Sequence, residues 1–148
     1  MFVECEKATI YAIGYEGVTF ERFIETLRQE EIEVIVDIRA NPISRKPGFS
    51  KSALKKRLEE EGFEYAHYPQ LGIPSKVRKE YSDIRELLNY YDRAILPNFT
   101  DVAEEVAHLC EQKAAALLCF EANASFCHRS RLARYICKNF NLSPKYIG

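Results

Sequence analysis

Apolar positions along the chain follow two rhythms, and the changes between them mark out alternating strands and helices. Ala8 to Ile13 is a short apolar run closed by Gly14-Tyr15-Glu16-Gly17, and Thr19 to Arg28 then spaces Phe20, Phe23, Ile24 and Leu27 as one helical stripe. This predicts a strand, a turn and an amphipathic helix. Glu33 to Ile38 holds the β-branched run Val34, Ile35, Val36, which suits a strand buried on both faces, and Asn41-Pro42 breaks it. Ser50 opens a second helix with Leu54 and Leu58 four apart, Gly62 closes it, and Phe63 to Tyr68 reads as a third strand. Pro69, Gly72 and Pro74 mark the loop beyond it.

Between Ser75 and Lys113 two helical stretches follow, one around Ile84, Leu87, Leu88 and Ile95, the other around Val102, Val106 and Leu109. Pro97 divides them, and Asp83 and Thr100 are their expected N-caps. Ala114 to Phe120 reads as a fourth strand, and Arg129 to Phe140 as the last helix, with Leu132, Ile136 and Phe140 on one stripe. No internal repeat or linker interrupts the pattern. Such alternation predicts one α/β domain over residues 1–148, in three α/β/α layers around a mainly parallel four-stranded sheet with right-handed crossovers. The expected strand order is 3-2-1-4, with the switch between strands one and four.

Composition narrows the class. The 148 residues are 47% apolar, which argues against disorder and suffices for one core burying roughly two thirds of the unfolded surface. No apolar run approaches the roughly 20 residues of a membrane span. Met1 to Lys7 carries Glu4 and Glu6 and does not resemble a signal peptide, so a cytoplasmic location is expected. Five cysteines form no small disulfide framework, and reduced thiols are expected.

A formal net charge of −1 gives no bulk attraction to nucleic acid, so such a role would need a local patch. Arg45, Lys46, Lys51, Lys55, Lys56 and Arg57 offer one, and Lys76, Arg78 and Lys79 add to it, although a solvated helix face explains most of this run. Tyr65, Tyr68 and Tyr81 could stack on bases there, yet aromatic residues in such positions are more often core.

The densest chemistry lies between Leu117 and Arg131, where an apolar strand passes through a polar loop into a helix. In open α/β sheets ligands bind at that strand end, and a helix N-terminus offers unpaired N–H groups to an anion. The ends of strands one, two and four would bring Tyr15-Glu16, Asp37 to Arg39, and Glu121 to Arg129 to one rim. Tyr15, Asp37, Arg39, Ser44, Arg45 and Arg129 are the candidate ligand-binding residues, since guanidinium groups can bind two oxygens of a phosphate or carboxylate at once. Asp37 has a structural alternative, fixing Arg39 or the backbone N–H groups of its loop.

Glu121, Cys127 and His128 are the candidate catalytic residues. Partial burial would raise the Glu121 pKa toward a useful acid or base, or Glu121 simply holds an arginine. A helix start and Arg129 would favour a Cys127 thiolate, while most cysteines at such positions merely pack. The Cys127 to Arg131 spacing is shorter than the Cys-x5-Arg loop of tyrosine phosphatases, and it also misses the six-residue loop of rhodaneses. His128 could shuttle protons or only bond the loop. A metal reading would join Cys119, Cys127, His128 and His67, but their spacing matches no common zinc pattern, and no metal site is expected.

Several of these residues also form a family pattern. Gly14-Tyr15-Glu16-Gly17, Asp37-Ile38-Arg39 with Asn41-Pro42, Ser44 and Phe49, then Leu71-Gly72, Cys119, Glu121 and Cys127-His128-Arg129 together resemble the DUF488 family over nearly the full length. The resemblance implies an α/β fold and a polar pocket and leaves the substrate open. Two functional readings follow. In the first, an enzyme acts on a phosphorylated or nucleotide-like substrate, with Arg39 and Arg129 as anion clamp, Glu121 as general acid or base, and Cys127 or His128 assisting. In the second, a non-catalytic module binds a small anion or nucleic acid through the same rim. Neither reading names a cofactor.

Overall fold

The apolar run that opens the pattern forms β1 (Ala8–Gly14), and Thr19 starts α1 (Phe20–Gln29) by accepting the Arg22 N–H on its hydroxyl at 3.1 Å. The computed structural model describes residues 7–121, 123 and 127–148. Residues 122 and 124–126 of the expected polar loop lie outside the described residues, as does the 1–6 segment. β2 (Val34–Asp37), α2 (Lys51–Glu60) and β3 (Glu64–His67) follow where the periodicity puts them. Next come α3 (Ser75–Glu80) and α4 (Ile84–Tyr90), and Asp83 caps α4 by accepting the Arg85 N–H at 2.9 Å. α4 runs on into a π turn over Tyr91–Ile95. The chain closes with α5 (Thr100–Gln112), β4 (Ala115–Cys119), α6 (His128–Asn139) and β5 (Leu142–Ile147). Thr100 is the first residue of α5, and Phe99 takes the cap position expected for it.

The class is α/β, as the pattern predicts, but the sheet differs from expectation in order and count. Five strands run parallel in the order β3-β2-β4-β1-β5. β4 therefore lies between β2 and β1, instead of at the edge beyond β1, and β5 adds a fifth strand that the pattern does not mark. Burial accounts for the first difference and a proline for the second. All five residues of β4 are buried, and a strand apolar on both faces gains most from a central place. β5 carries Pro144, whose missing N–H is tolerated at a sheet edge.

α1 and α2 cover one face, setting Phe23, Leu27, Leu54 and Leu58 against Ile13, Ile35 and Leu118. α4, α5 and α6 cover the other, where Leu87, Val106, Leu132 and Ile136 pack with Ile10, Val36 and Leu117. Connections after β1 and β2 thus leave to one face, and those after β3 and β4 to the other. The switch falls where β4 meets β1 and β2, which is where such sheets open a crevice. Among the described residues no helix is long and apolar enough to cross a membrane.

Candidate functional site

Strand register brings the three loops together. Gly14 stands opposite Cys119 and Asp37 opposite Leu118, so β1, β2 and β4 end at one level. The Glu16 N–H donates to the Phe120 carbonyl at 2.8 Å and the Ile38 N–H to the Leu118 carbonyl at 3.3 Å, extending the ladder just past the strands. Above these ends lies a cavity of about 350 Å³ to which all three loops contribute, together with the start of α3.

Its inner wall is built on a buried ion pair. Asp37 is 0% and Arg39 6% exposed. Arg39 donates to both carboxylate oxygens, from Nε at 2.9 Å and Nη2 at 2.8 Å, and its backbone N–H adds a third bond at 3.1 Å. Arg39 Nη1 donates to the Tyr15 hydroxyl at 3.0 Å and to the Phe49 carbonyl at 2.7 Å. Four of the five guanidinium N–H groups are thereby engaged within the protein. Burial works against the Arg39 charge, but Asp37 outweighs it and raises the pKa, so the guanidinium stays charged. Tyr65 donates to Asp37 at 2.5 Å, and burial, then the carboxylate, push its phenol pKa up.

This lock positions the loop between β2 and α2. Phe49 stacks on Tyr15 with ring centroids 4.6 Å apart. Ser50 Oγ accepts the Ser44 N–H at 2.8 Å and donates to the Ser44 carbonyl at 3.1 Å, while Ser44 Oγ accepts the Lys46 N–H at 3.1 Å. Gly72 holds the same loop from the other side: a Cβ there would lie 2.1 Å from the Ala40 nitrogen.

The outer wall is cationic. Arg45 and Lys46 line the cavity with no ion pair among the described residues. Arg78 enters from α3 and reaches Glu121 Oε1 at 3.5 Å. Glu121 is the one carboxylate among the described residues that line it. Burial raises its pKa, but its own backbone N–H, the Cys127 and Cys119 thiols and Arg78 together prevail and lower it. It is therefore an ionised acceptor near neutrality rather than a stored acid. Two apolar side chains also stand exposed at the cavity, Ile43 at 76% and Phe120 at 44%, the latter edge-on to Tyr15 at 5.4 Å.

Cys119, Cys127 and His128 cluster where β4 ends and α6 begins, each 1% exposed. His128 Nε2 lies 2.9 Å from the Ile38 carbonyl, Nδ1 3.6 Å from Cys119 Sγ and 3.9 Å from Cys127 Sγ. A carbonyl only accepts, so Nε2 carries a hydrogen, and Nδ1 is the nitrogen turned toward the sulfurs. Tyr91 flanks the imidazole at 5.3 Å. Burial first, then Cys119, push the Cys127 pKa well up, which leaves it a thiol at neutral pH. Arg129, 2% exposed, donates from Nη1 to the Glu121 carbonyl at 2.7 Å, tying α6 to the loop after β4.

Of the residues singled out by sequence, Tyr15, Arg39, Ser44, Arg45 and Glu121 line the cavity, whereas Asp37, Cys127, His128 and Arg129 support it from behind. Ile43 and Phe120 also line it without having been marked, and so does Arg78, which the sequence offered only as part of the basic patch after the third strand. The three tyrosines weighed for base stacking are engaged elsewhere, Tyr65 with Asp37, Tyr68 with Glu105 at 3.5 Å and Tyr81 against Tyr90. His67 turns to the Arg39 carbonyl at 2.7 Å, apart from the cysteines. No curated protein and no solved structure matches the chain. The sequence model described as domain of unknown function DUF488 matches residues 19–136, most of the chain, and the protein belongs to the DUF488 family.

Proposed function

We propose that the cavity at the C-terminal ends of β1, β2 and β4 binds a phosphorylated small molecule, and that a nucleotide-like ligand fits it best. The observation that carries this reading is the charge balance of the lining. Asp37 already neutralises Arg39, and Glu121 faces Arg78, which leaves Arg45 and Lys46 as cations in excess at the mouth. Concentrating like charges on one concave surface is unfavourable without an anion to meet them. Ile43 and Phe120, exposed beside these cations, add an apolar surface on which a base or sugar can lie.

In the enzymatic form of this reading Glu121 is the acid–base group, starting as the base because its lowered pKa leaves it ionised, and Arg39 orients the wall instead of clamping the ligand. The setting is cytoplasmic and reducing, in keeping with the four described cysteines being free. Oligonucleotide binding is the lesser reading, because part of the basic run on α2 is paired with acids, Lys55 with Glu59 and Arg57 with Glu21 of α1.

Calorimetric titration with inorganic phosphate, a nucleoside monophosphate and a short oligonucleotide tests the reading. The expected order is monophosphate tighter than phosphate, with the affinity for both falling at least tenfold, or about 1.4 kcal/mol, in Arg45→Ala/Lys46→Ala. Failure of both small ligands to bind, or equal binding by the double variant, would overturn it. Tighter binding of the oligonucleotide, with a steep salt dependence, would replace it with the nucleic-acid reading. Once a ligand that turns over is identified, Glu121→Gln separates enzyme from binding module: an unchanged rate removes Glu121 from the chemistry.

A further inference from the structure

We infer that Cys119, Cys127 and His128 form a binding site for a thiophilic divalent transition metal, zinc first, with the fourth position left open beside the cavity that Cys119 lines. The three donor atoms lie within 4.8 Å of one another although they come from different elements, the end of β4 and the start of α6. Tetrahedral zinc, with Zn–S near 2.3 Å and Zn–N near 2.0–2.1 Å, requires S···N separations of about 3.6 Å. The observed values are 3.6 Å and 3.9 Å, so the donors are already close to ligating distance.

Imidazole orientation is the second, independent observation. A histidine that binds metal through one nitrogen almost always donates from the other to a carbonyl or carboxylate, which fixes ring and tautomer. His128 does this with the Ile38 carbonyl at 2.9 Å, and its other nitrogen is the one that faces both sulfurs. Glu121 stands beside the three donors rather than among them, with Oε2 3.3 Å from Cys119 Sγ and Oε1 turned to Arg78. Two thiolates and an imidazole are soft to borderline donors, which select zinc or its neighbours over magnesium or calcium. Three protein ligands with a fourth position beside a cavity is the arrangement of sites that keep one coordination place for water or substrate.

This site does not depend on the anion reading, because Arg45 and Lys46 contribute none of its donors. The test is titration of the reduced, chelator-treated protein with Co²⁺ and Zn²⁺, followed by X-ray absorption on the zinc-loaded wild type. One cobalt per chain should bind, with intense visible bands of tetrahedral symmetry and an ultraviolet thiolate-to-metal band, and zinc should displace it. The zinc shell should hold two sulfurs and two lighter atoms. Cys119→Ser and Cys127→Ser should each weaken cobalt binding at least tenfold. Cys110→Ser and Cys137→Ser, which touch no donor, should leave it intact, as should Arg45→Ala/Lys46→Ala. A wild type without the thiolate band, or a zinc shell without sulfur, overturns the proposal. Since the absorption measurement uses the wild type, it decides the matter even where a serine variant fails to fold.

Discussion

Asp37 and Arg39 illustrate how one residue pair can organise a site without entering it. Both are buried, and Asp37 accepts from the Arg39 side chain, the Arg39 backbone and Tyr65. A buried pair of this kind contributes little net stability compared with apolar replacements, but losing one partner leaves an uncompensated charge. Asp37→Ala should therefore lower stability by about 3–5 kcal/mol in urea unfolding, whereas Asp37→Ala/Arg39→Met should recover much of that loss. A single variant within about 1 kcal/mol of wild type would mean that Arg39 swings out to solvent. The sequence names the pair as neighbours on a strand end, and the two alternatives for Asp37, ligand contact or structural partner, rest on where the Arg39 side chain points. Phe49, Tyr15 and Tyr65 determine that direction, and they arrive from three other segments.

Individual elements were legible wherever one periodicity ran long enough to be distinct. α1 and α2 have stripes that bury Phe23, Leu27, Leu54 and Leu58, and β2 has its β-branched run. α3 and β5 were not, for different reasons. α3 buries none of its residues and so leaves no stripe, while β5 alternates weakly around a proline that reads as a breaker. The grouping of Cys119, Cys127 and His128 was visible as a set of residue types, but their contact depends on how the end of β4 meets the start of α6, which spacing alone does not give. Gly72 belongs to this scale too, because it joins the loop after β3 to the loop after β2. Gly72→Ala would drive a methyl to 2.1 Å from the Ala40 nitrogen and 2.7 Å from its Cα, backbone atoms that cannot yield as a side chain would. The expected cost is about 1–3 kcal/mol, read as a lowered melting temperature, together with weaker phosphate binding because Ala40 lies on the cavity wall. Unchanged stability with normal binding would show that the two loops separate at little cost.

At the scale of the whole molecule the strand order decides what the site can be. Placing β4 between β1 and β2 brings its end, with Cys119, Phe120 and Glu121, between Tyr15 on one side and Arg39 on the other. With β4 at an edge, as in the order expected from sequence, Glu121 would border only β1 and stand one strand further from the loop after β2. The sequence does contain the clue, since Ala115 to Cys119 lacks any polar residue that would suit an edge, but alternation of strands and helices alone does not rank strands by depth. Amide hydrogen exchange distinguishes the two orders. A central strand bonds its N–H groups to neighbours on both sides, whereas an edge strand leaves about half of them facing outward. The β4 amides should all exchange on the slowest timescale, opening only with global unfolding, while β3 and β5 exchange sooner through local opening. Fast exchange at alternate β4 positions would identify an edge strand, and the shared cavity, the anion reading and the approach of Glu121 to Arg78 would lose their common foundation.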